Sequence, residues 1–423
     1  MRKHAPKLAA LAVAALALAG CGGAGSATPQ AASGQVTGDV TLQTWSLTPK
    51  FTDYLNEVIA GFEAKYPGTK VKLVDQPGDG YSDKVLTQAS SGTLPDVVNL
   101  PPDFALPLAK QGMLLDISTV DKTLQDTYVA GGLSAFEYKG VNGVFGYPWY
   151  LNTDVSYWNT DKLDANGLDA KNPPKTTADL FAQAKTMHDA SGGKEYLISR
   201  KPGLDDFTRG GIDILAEDGK TVVFNTDKAA AMLDQYRDAF KAGYMPPTVL
   251  NNDYLGNSKL FGEGKVAWTT GGGNSIPSFE KDNPSLAGKV VATPSLDSPP
   301  LYVQGLGVSA KSKNQPAAIA LAQWVTNAEN QGKFAHLVNI FPSTKSSASD
   351  PYFAKSDGTP ASDAKVLAFK ELETAKNLQP YEINGAMSDI LSQQIALAIK
   401  GDVSSKAALD DAASKINQML ARG

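Results

Sequence analysis

The 423-residue chain contains a single cysteine, Cys21, and the residues before it limit what its thiol can do. With no second cysteine, neither an internal disulfide nor a two-thiol redox reaction is open to it. Residues 8–19 contain only Leu, Ala and Val and follow three basic residues. This stretch is much shorter than the ~20 residues of a membrane-spanning helix and matches the apolar region of a signal peptide. We therefore predict that residues 1–20 are a signal peptide.

Leu18, Ala19 and Gly20 stand directly before Cys21. This order resembles the bacterial lipobox, in which small residues precede a cysteine whose sulfur receives a diacylglycerol before cleavage. The alternative is an ordinary signal peptide followed by a stray cysteine. We predict that Cys21 is the lipid-carrying first residue of the mature protein, because two or more long acyl chains anchor a protein stably to a membrane.

Residues 22–38 contain no acidic, basic or aromatic side chain, so we predict that residues 21–38 form a lipidated flexible tether. The remaining chain is long for one core and predicts two lobes. The full sequence has 42% hydrophobic and 20% charged residues, which is typical of a soluble globular protein. Loss of three basic residues with the signal peptide changes the formal net charge from −5 to −8. An acidic body argues against nucleic acid as a partner.

Few residues are suited to catalysis or to metal binding. Only His188 and His336 remain after removal of the signal peptide, and both are predicted to be surface or core residues. Nucleophile-elbow, phosphate-loop, zinc-protease and dinucleotide-binding motifs are all absent from the sequence. We therefore predict no catalytic residue, no metal and no cofactor.

The spacing of apolar residues predicts alternating strands and helices. Strands are expected at residues 40–45, 71–74 and 96–100, with helices between and after them at residues 54–66, 82–90 and 104–111. Later helices are expected at residues 177–189, 227–242, 315–327, 385–400 and 404–420. Thr176 is predicted to cap the first of these later helices. This pattern is typical of βαβ units and predicts an α/β fold with mostly parallel sheets and helices on both faces.

Six short motifs follow one another along the chain. They begin at Phe62, Gly92, Gly146, Asn172, Phe261 and Gly305 and read FEAKYPG, GTLPDV, GYP, NPPKT, FGEGKVA and GLGVS. None is specific alone, but their order and spacing resemble the sugar-binding lipoproteins of ABC importers. These form the maltose-binding-protein-like branch of extracellular solute-binding proteins. Thr177 departs from the family pattern, which usually has Trp after the fourth motif.

The resemblance implies a two-lobed, type II periplasmic-binding-protein-like fold with the ligand in a cleft between the lobes. The implied N-terminal lobe comprises residues 39–150 and 305–372, and the implied C-terminal lobe comprises residues 151–304 and 373–423. The chain would cross between the lobes near residues 151–155, 302–306 and 370–378. Such proteins close on their ligand about a hinge and then dock on a membrane permease.

A sugar ligand has an apolar ring face and a belt of hydroxyls, so it is bound by aromatic faces and polar groups. Trp45 ends the first strand, at the edge where ligands meet parallel sheets, although a core position is the alternative. Asp103 corresponds to the sugar-binding acid of the family, with a helix N-cap as the alternative. Trp149 and Tyr150 lie in a segment whose Gly and Pro residues argue against a buried sheet position. We predict that at least one of them stacks on the ligand.

Further ligand contacts are expected on the second lobe and at the crossings. Asn152 occupies a family position that is usually acidic and faces the ligand. Gly272 and Gly273 would let the backbone approach the ligand closely. Asn274 stands where the family often has a stacking Trp, which suggests a polar contact instead.

Two tyrosines complete the predicted site. Tyr302 lies at the second crossing, together with Gln304, and Tyr381 lies at a position that often contacts ligand in the family. Asp205 and Asp206 are expected at most at the rim of the cleft. Trp268 and Trp324 are expected in the core.

The resemblance implies a monomeric binding protein that is anchored by lipid to the extracytoplasmic face of the cell membrane. It would deliver a carbohydrate, an oligosaccharide, to ABC permease subunits. One alternative is a tethered extracellular glycosidase, which would need two carboxylates ~5–9 Å apart across the scissile bond. The other is the same fold with a non-sugar ligand such as a polyamine, a peptide or a metal complex. A cationic ligand would require several carboxylates in the cleft.

The role of Cys21 can be tested by its substitution. We expect the Cys21→Ser protein to be released into the medium, because it cannot receive the acyl chains that hold the protein at the membrane. It should keep its affinity for ligand, since Cys21 is predicted to attach the protein and to bind nothing. Immunoblots of membrane and medium fractions measure the first effect. Full membrane retention of the variant would contradict the predicted anchor.

Overall fold

The computed structural model describes residues 34–251, 256–338 and 340–421. The predicted signal peptide, Cys21 and residues 22–33 of the predicted tether lie outside these residues. The strands β1 to β9 are, in order, Gly38–Trp45, Thr69–Gln76, Val97–Leu100, Tyr147–Asn152, Asp154–Asn159, Trp268–Gly272, Val290–Thr293, Tyr302–Val308 and Phe341–Pro342.

The helices supply the outer layers around these strands. In order, α1 to α18 are Thr52–Lys65, Tyr81–Ser90, Pro102–Lys110, Ile117–Val120, Leu124–Thr127, Ala130–Ser134, Thr160–Ala165, Thr177–Ser191, Leu204–Arg209, Asp227–Lys241, Gly256–Gly262, Ile276–Asp282, Gln315–Val325, Ala328–Leu337, Pro351–Ala354, Pro360–Glu371, Gly385–Lys400 and Ser405–Leu420. Short 3₁₀ helices occupy Pro247–Leu250, Pro284–Leu286 and Lys345–Ser349. None of the helices in the described part of the chain is both long and apolar enough to span a membrane.

The larger sheet has the strand order β2-β1-β3-β8-β4-β9. Strand β1 pairs in parallel with β2 and β3, and all the other pairings in this sheet are antiparallel. The predicted βαβ units are therefore confirmed in its first half. The expectation of mostly parallel sheets was wrong for its second half, because β8, which returns from the second lobe, pairs with β3 in the opposite direction.

The smaller sheet has the order β6-β5-β7 and is antiparallel throughout. Helix α16 packs against β5 and β7. This helix therefore lies with the smaller sheet, whereas the predicted boundary at residue 372 assigned it to the N-terminal lobe. The two sheets with their helices give the two-lobed α/β fold that the sequence predicted.

Thr176 caps helix α8 as predicted. Its hydroxyl accepts a hydrogen bond from the backbone N–H of Asp179 at 3.1 Å, and its own backbone N–H donates to the Asp179 carboxylate at 3.1 Å. This reciprocal pair satisfies two N–H groups that the helix itself leaves without partners. The helix starts at Thr177, as the sequence indicates.

The ordered body begins before the end of the predicted tether. Val36 packs against the hydrophobic core, and the backbone N–H of Gly38 donates to the carbonyl of Gly68 at 2.9 Å as β1 starts. The prediction that residues 21–38 form a flexible segment was therefore wrong for its last residues. A single valine between polar and small residues gave no periodic signal that could have indicated this.

Three segments that join the two sheets are hydrogen-bonded to one another. Only Thr153 separates β4 of the larger sheet from β5 of the smaller one. Its hydroxyl donates to the carbonyl of Pro300, just before β8, at 2.6 Å. The N–H of Leu301 in turn donates to the carbonyl of Lys376 at 2.8 Å. The chain therefore passes between the sheets along one narrow seam.

Trp149 lies in the core of the larger sheet, which corrects its predicted place in the cleft. The residue is 0% exposed, and its ring stacks on Phe334 of α14 with the ring centroids 5.2 Å apart. The pairing of β4 with β8 shifts register between Pro148 and Tyr150, so Trp149 is the extra residue of a β-bulge. Such a bulge accommodates proline and redirects a side chain. The Gly and Pro residues that argued against a buried strand therefore mark an irregular but buried one.

The core position of Trp149 can be tested through stability. We expect Trp149→Ala to lower the free energy of unfolding by about 3–5 kcal/mol, because a large buried aromatic side chain is replaced by a cavity. Urea denaturation followed by circular dichroism measures this loss. Trp149→Phe is the matched control and should lose much less, since it keeps a ring against Phe334. A loss below about 1 kcal/mol for Trp149→Ala would contradict the core position.

Candidate ligand-binding site

A cavity of about 290 Å³ opens beside the seam between the two sheets. It is lined by residues 101–103 at the start of α3, by residues 300–304 at the start of β8, and by residues 377–381 and Ile383 between α16 and α17. Asp205 of α9 completes the lining. The structure thus brings three predicted ligand residues, Asp103, Tyr302 and Tyr381, together with Gln304, into one cavity.

Asp103 is held in the first turn of α3, directly after the buried strand β3. The N-cap of this helix is Pro101, so Asp103 does not take the alternative role of N-cap. Its side chain is exposed in the open cavity. The surrounding protein nevertheless desolvates the carboxylate and raises the pKa of Asp103 above its usual range. A carboxylate here can accept hydrogen bonds from a hydroxyl-bearing ligand.

Tyr302 presents the most accessible aromatic ring at the cavity. It is 51% exposed, and it is one of the few large hydrophobic side chains on the surface of the described part of the chain. Its hydroxyl donates to Oδ2 of Asp154 at 3.2 Å, and this hydrogen bond fixes one end of the side chain. An exposed ring that is held in place can stack on the apolar face of a ligand without a large loss of side-chain entropy.

Tyr381 lines the same cavity as Tyr302 and lies between α16 and α17. Its ring meets Tyr138 edge-on, with the centroids 6.2 Å apart. The hydroxyl of Tyr138 donates to the carbonyl of Pro102 at 2.8 Å, so this aromatic pair is connected to the start of α3. Burial, together with the nearby charges of Asp103 and Glu382, raises the pKa of Tyr381, whose phenol therefore stays protonated and can donate a hydrogen bond.

Gln304 lines the cavity, and a hydrogen bond from Asn99 fixes the orientation of its side-chain amide. Its Oε1 accepts a hydrogen bond from Nδ2 of the buried Asn99 at 3.1 Å. Asn99 Nδ2 also donates to the carbonyl of Gly305 at 3.2 Å. With its oxygen engaged, the Gln304 side chain offers its NH₂ group as a donor.

Trp45 is half-buried at the end of β1. Its ring packs against Tyr81 and Phe104, with centroid distances of 4.9 and 5.6 Å. Phe104 is the residue after Asp103, so Trp45 packs behind the part of the chain that forms the cavity wall. Trp45 does not line the cavity itself. Its role as a ligand contact stays a prediction.

Tyr150 does not line this cavity either. Its half-buried ring contacts Trp149 and Phe334, with centroid distances of 5.4 and 5.8 Å. The structure therefore places both aromatic residues of the predicted Trp149–Tyr150 pair on the side of β4 that is covered by α14. Their assignment to the cleft wall is not supported by this arrangement.

Asn152 and Gly272 meet at the junction of the sheets. A Cβ atom at Gly272 would lie 3.3 Å from the amide nitrogen of Asn152, so the missing side chain permits a close approach between two parts of the protein. A Cβ atom at Gly273 would lie only 2.5 Å from that of Ala368 in α16. Gly273 is therefore required for helix packing, which corrects its predicted role of bringing the backbone to a ligand.

Asn274 follows these glycines and is half-buried. Its Oδ1 atom is buried and has no hydrogen-bond partner within the described part of the chain. It does not line the cavity at the seam. The predicted polar contact of Asn274 with ligand remains a prediction.

Arg200 and Arg209 form a charged group with Asp205 and Asp206 that the sequence did not indicate. Arg200 donates to both carboxylate oxygens of Asp206 at 2.6 Å, and Arg209 pairs with Asp205 across one turn of α9. Burial raises the pKa of Asp205, but the two guanidinium charges outweigh burial and hold it below its usual range. Arg209 follows Asp206 by three residues and Asp205 by four, and this helical spacing is the sequence signal that could have indicated these ion pairs.

The described residues contain no group of three or more His, Cys, Asp or Glu side chains that could hold a metal ion. The cavity at the seam presents phenol, amide and carboxylate groups, from Tyr302 and Tyr381, Gln304 and Asp103. These groups suit binding of an uncharged polar molecule.

Comparison with known proteins gives a family and a fold. Residues 57–361 match the family described as bacterial extracellular solute-binding protein. The galactooligosaccharide-binding protein of Bacillus subtilis (strain 168) is 24% identical over 415 residues, which cover 94% of this chain and 93% of that protein. The maltooligosaccharide ABC transporter solute-binding lipoprotein of Streptococcus pneumoniae (strain ATCC BAA-255 / R6) is 24% identical over 436 residues, which cover 99% of this chain and 97% of that protein.

A solved structure supports the same architecture. The cyclic alpha-maltosyl-1,6-maltose binding protein from Arthrobacter globiformis superimposes with a TM-score of 0.73 at 20% identity, covering 91% of this chain and 99% of that one. At this identity the likeness shows the fold alone. The family match, by contrast, spans well over half of the sequence, and the chain therefore belongs to the bacterial extracellular solute-binding proteins.

Proposed function

We propose that this protein captures a carbohydrate, an oligosaccharide, in the cavity at the seam and delivers it to the permease of an ABC importer. The observation that carries this proposal is the convergence of Asp103, Tyr302 and Tyr381 on one cavity. These residues come from three distant parts of the chain. A ligand that touches all three would tie these parts together.

The groups in this cavity match the two surfaces of a sugar. The exposed ring of Tyr302 can cover the apolar face of a pyranose, as aromatic rings do in carbohydrate sites. Asp103 accepts hydrogen bonds from hydroxyls, and the NH₂ group of Gln304 donates to them. A site whose polar groups are left unpaired without the right hydroxyls rejects molecules that lack them.

The names of the relatives support an oligosaccharide as the ligand. The Bacillus subtilis relative is named for galactooligosaccharide and the Streptococcus pneumoniae relative for maltooligosaccharide. The latter is also named a lipoprotein, which supports attachment of this chain through Cys21 to the extracytoplasmic face of the cell membrane. We further propose that the protein works as a monomer, with the permease subunits as its protein partners.

Binding without catalysis fits the acidic groups of the cavity. A glycosidase needs one carboxyl group that stays protonated and a second carboxylate across the bond. The only carboxylates that line this cavity in the described part of the chain are Asp103 and Asp205. Asp205 is ion-paired with Arg200 and Arg209, so it does not supply a free nucleophile or base. One unpaired carboxylate is also too few for a polyamine.

A panel of carbohydrates tests the ligand class. We expect at least one malto- or galactooligosaccharide to raise the melting temperature, because a ligand that binds only the folded protein at 100 times its Kd adds about 2.7 kcal/mol of stability. Polyamines and peptides serve as controls and should give no shift. A shift with spermidine and none with any sugar would contradict the proposal.

Tyr302 is expected to stack on the sugar. Tyr302→Ala should weaken binding by about 0.5–1.5 kcal/mol or more, the contribution typical of an aromatic contact. Tyr302→Phe keeps the ring and loses only the hydrogen bond to Asp154, so it should retain most of the affinity. Isothermal titration calorimetry with the best sugar of the panel measures both variants. Equal affinity of Tyr302→Ala and the unaltered protein would place the ligand elsewhere.

A further inference from the structure

Asn99 lies in the buried strand β3, next to a residue of the cavity at the seam. It is 0% exposed, and it pairs with Leu306 of the antiparallel strand β8. Side chains alternate along a strand, so Gln304, two residues before Leu306, lies on the same face of the sheet as Asn99. The two amide side chains are therefore diagonal neighbours, and of the two only Gln304 lines the cavity.

Two hydrogen bonds determine which way both amides point. Asn99 contacts the carbonyl of Gly305 at 3.2 Å, and because a carbonyl can only accept, the contacting atom must be Nδ2. The same Nδ2 is 3.1 Å from the amide of Gln304, so the atom of Gln304 that faces it must be Oε1. Nε2 of Gln304 has no hydrogen-bond partner among the described residues. The backbone carbonyl of Gly305 thus sets, through Asn99, the orientation of the Gln304 amide.

Stability alone does not explain an asparagine at this position. Oδ1 of Asn99 is buried and lacks a hydrogen-bond partner in the part of the chain that the structure describes. A buried acceptor without a partner lowers stability, and an apolar side chain of similar volume would avoid that loss. The hydrogen bond from Nδ2 to Gln304 is an interaction that an apolar side chain could not make.

We propose that Asn99 is a positioning residue that holds the NH₂ group of Gln304 toward the ligand, so that the site requires a hydrogen-bond acceptor at this point of the oligosaccharide. This inference rests on the proposed function. The hydroxyl, ring and glycosidic oxygens of a sugar can all accept, whereas the ammonium group of an amino sugar can only donate. Asp103 in the same cavity can only accept when it is ionised. The site therefore combines a fixed donor with an acceptor and selects ligands that match both.

A double-mutant cycle tests whether Asn99 acts through Gln304. With the best malto- or galactooligosaccharide of the panel, Asn99→Leu should weaken binding about two- to tenfold, because the Gln304 amide is then free to turn. Gln304→Met should lose at least as much. In the Gln304→Met background, Asn99→Leu should reduce affinity no further. Isothermal titration calorimetry measures all four proteins. Losses that simply add would overturn the positioning role.

Asn330→Leu is the matched control. Asn330 is also a buried asparagine, 3% exposed, and its Nδ2 donates to the carbonyl of Trp324 at 2.7 Å. It does not line the cavity at the seam. This variant should bind the sugar as the unaltered protein does, and circular dichroism establishes that each variant is folded. A loss of affinity equal to that of Asn99→Leu would assign both losses to general disturbance of the larger sheet and would overturn the proposal.

Asn99→Asp is a second variant that preserves the size of the side chain. Burial raises the pKa of the introduced carboxyl group. When protonated, this group can donate to Gln304 as the amide does. When ionised, it can only accept, and it turns the NH₂ group of Gln304 away from the ligand. The affinity of the variant relative to the unaltered protein should therefore fall as pH rises.

The use of this ratio removes the titration of Asp103, which is common to both proteins. A ratio that rises with pH would overturn the proposal. If Asn99→Leu does not fold, Asn99→Asp takes its place in the cycle with Gln304→Met.

Aminodeoxy analogues of the same sugar test the required acceptor. Each analogue replaces one hydroxyl by an ammonium group, and the unaltered protein should reject one of them most strongly. Asn99→Leu should reduce this rejection, because Gln304 can then turn its oxygen toward the ammonium group. Rejection that is the same in both proteins for every analogue would overturn the proposal.

The outcomes distinguish this inference from the proposed function. Sugar binding with no loss in Asn99→Leu would overturn the positioning role and leave the proposed function intact. Failure of every sugar to bind the unaltered protein would overturn the proposed function, and the positioning role with it.

Discussion

The hydrogen bonds along the seam are the constraint on which the rest of the structure depends. The hydroxyl of Thr153 donates to Pro300, and Leu301 donates to Lys376, so three segments far apart in sequence are held side by side. The segments at Pro300 and Lys376 lead directly into the wall of the ligand cavity. The seam is narrow, and motion of one lobe about it changes the separation of the walls more than their internal structure. The geometry of the binding site is therefore a property of the seam.

The seam also explains why β4 and β8 are neighbours. Both strands leave the larger sheet at the same edge of the seam, and their antiparallel register places Asn152 opposite Tyr302. One of these side chains approaches Gly272 of the smaller sheet, and the other reaches Asp154. Contacts between the sheets are thus made by residues adjacent to the crossings. A ligand that contacts Tyr302 lies where the lobes are connected, and it alters their relative position only as far as it binds the two arrangements with different affinity.

The sequence predicted the elements with strong local signals and missed those decided by tertiary packing. Helical spacing and the Thr176 cap located α1 and α8, and the resemblance to the family indicated the segments of Asp103, Tyr302 and Tyr381. Local signals could not place Trp149, because Pro148 and the glycines before it are equally consistent with an exposed loop and with a bulged, buried strand. Gly273 was misassigned for a related reason. A glycine needed for helix packing and one needed near a ligand look the same in sequence.

The ion pairs that Asp205 and Asp206 form with Arg200 and Arg209 need an explanation other than stability. Burying two arginines and two aspartates removes four charges from water, and their mutual attraction in such sites often only offsets that cost. Stability alone is therefore a weak reason for the group. Its position gives a better reason, because Asp205 lines the cavity at the seam, and Asp205 also lines, with Arg200 and Arg209, a smaller cavity of about 160 Å³ that shares Tyr302 with it. Apolar side chains of similar volume would pack as well there, but they would leave a ligand's hydroxyls without partners. The ion pairs keep this part of the wall polar without adding to the single unpaired charge of Asp103, and this combination suits a hydroxyl-rich ligand better than a multiply charged one.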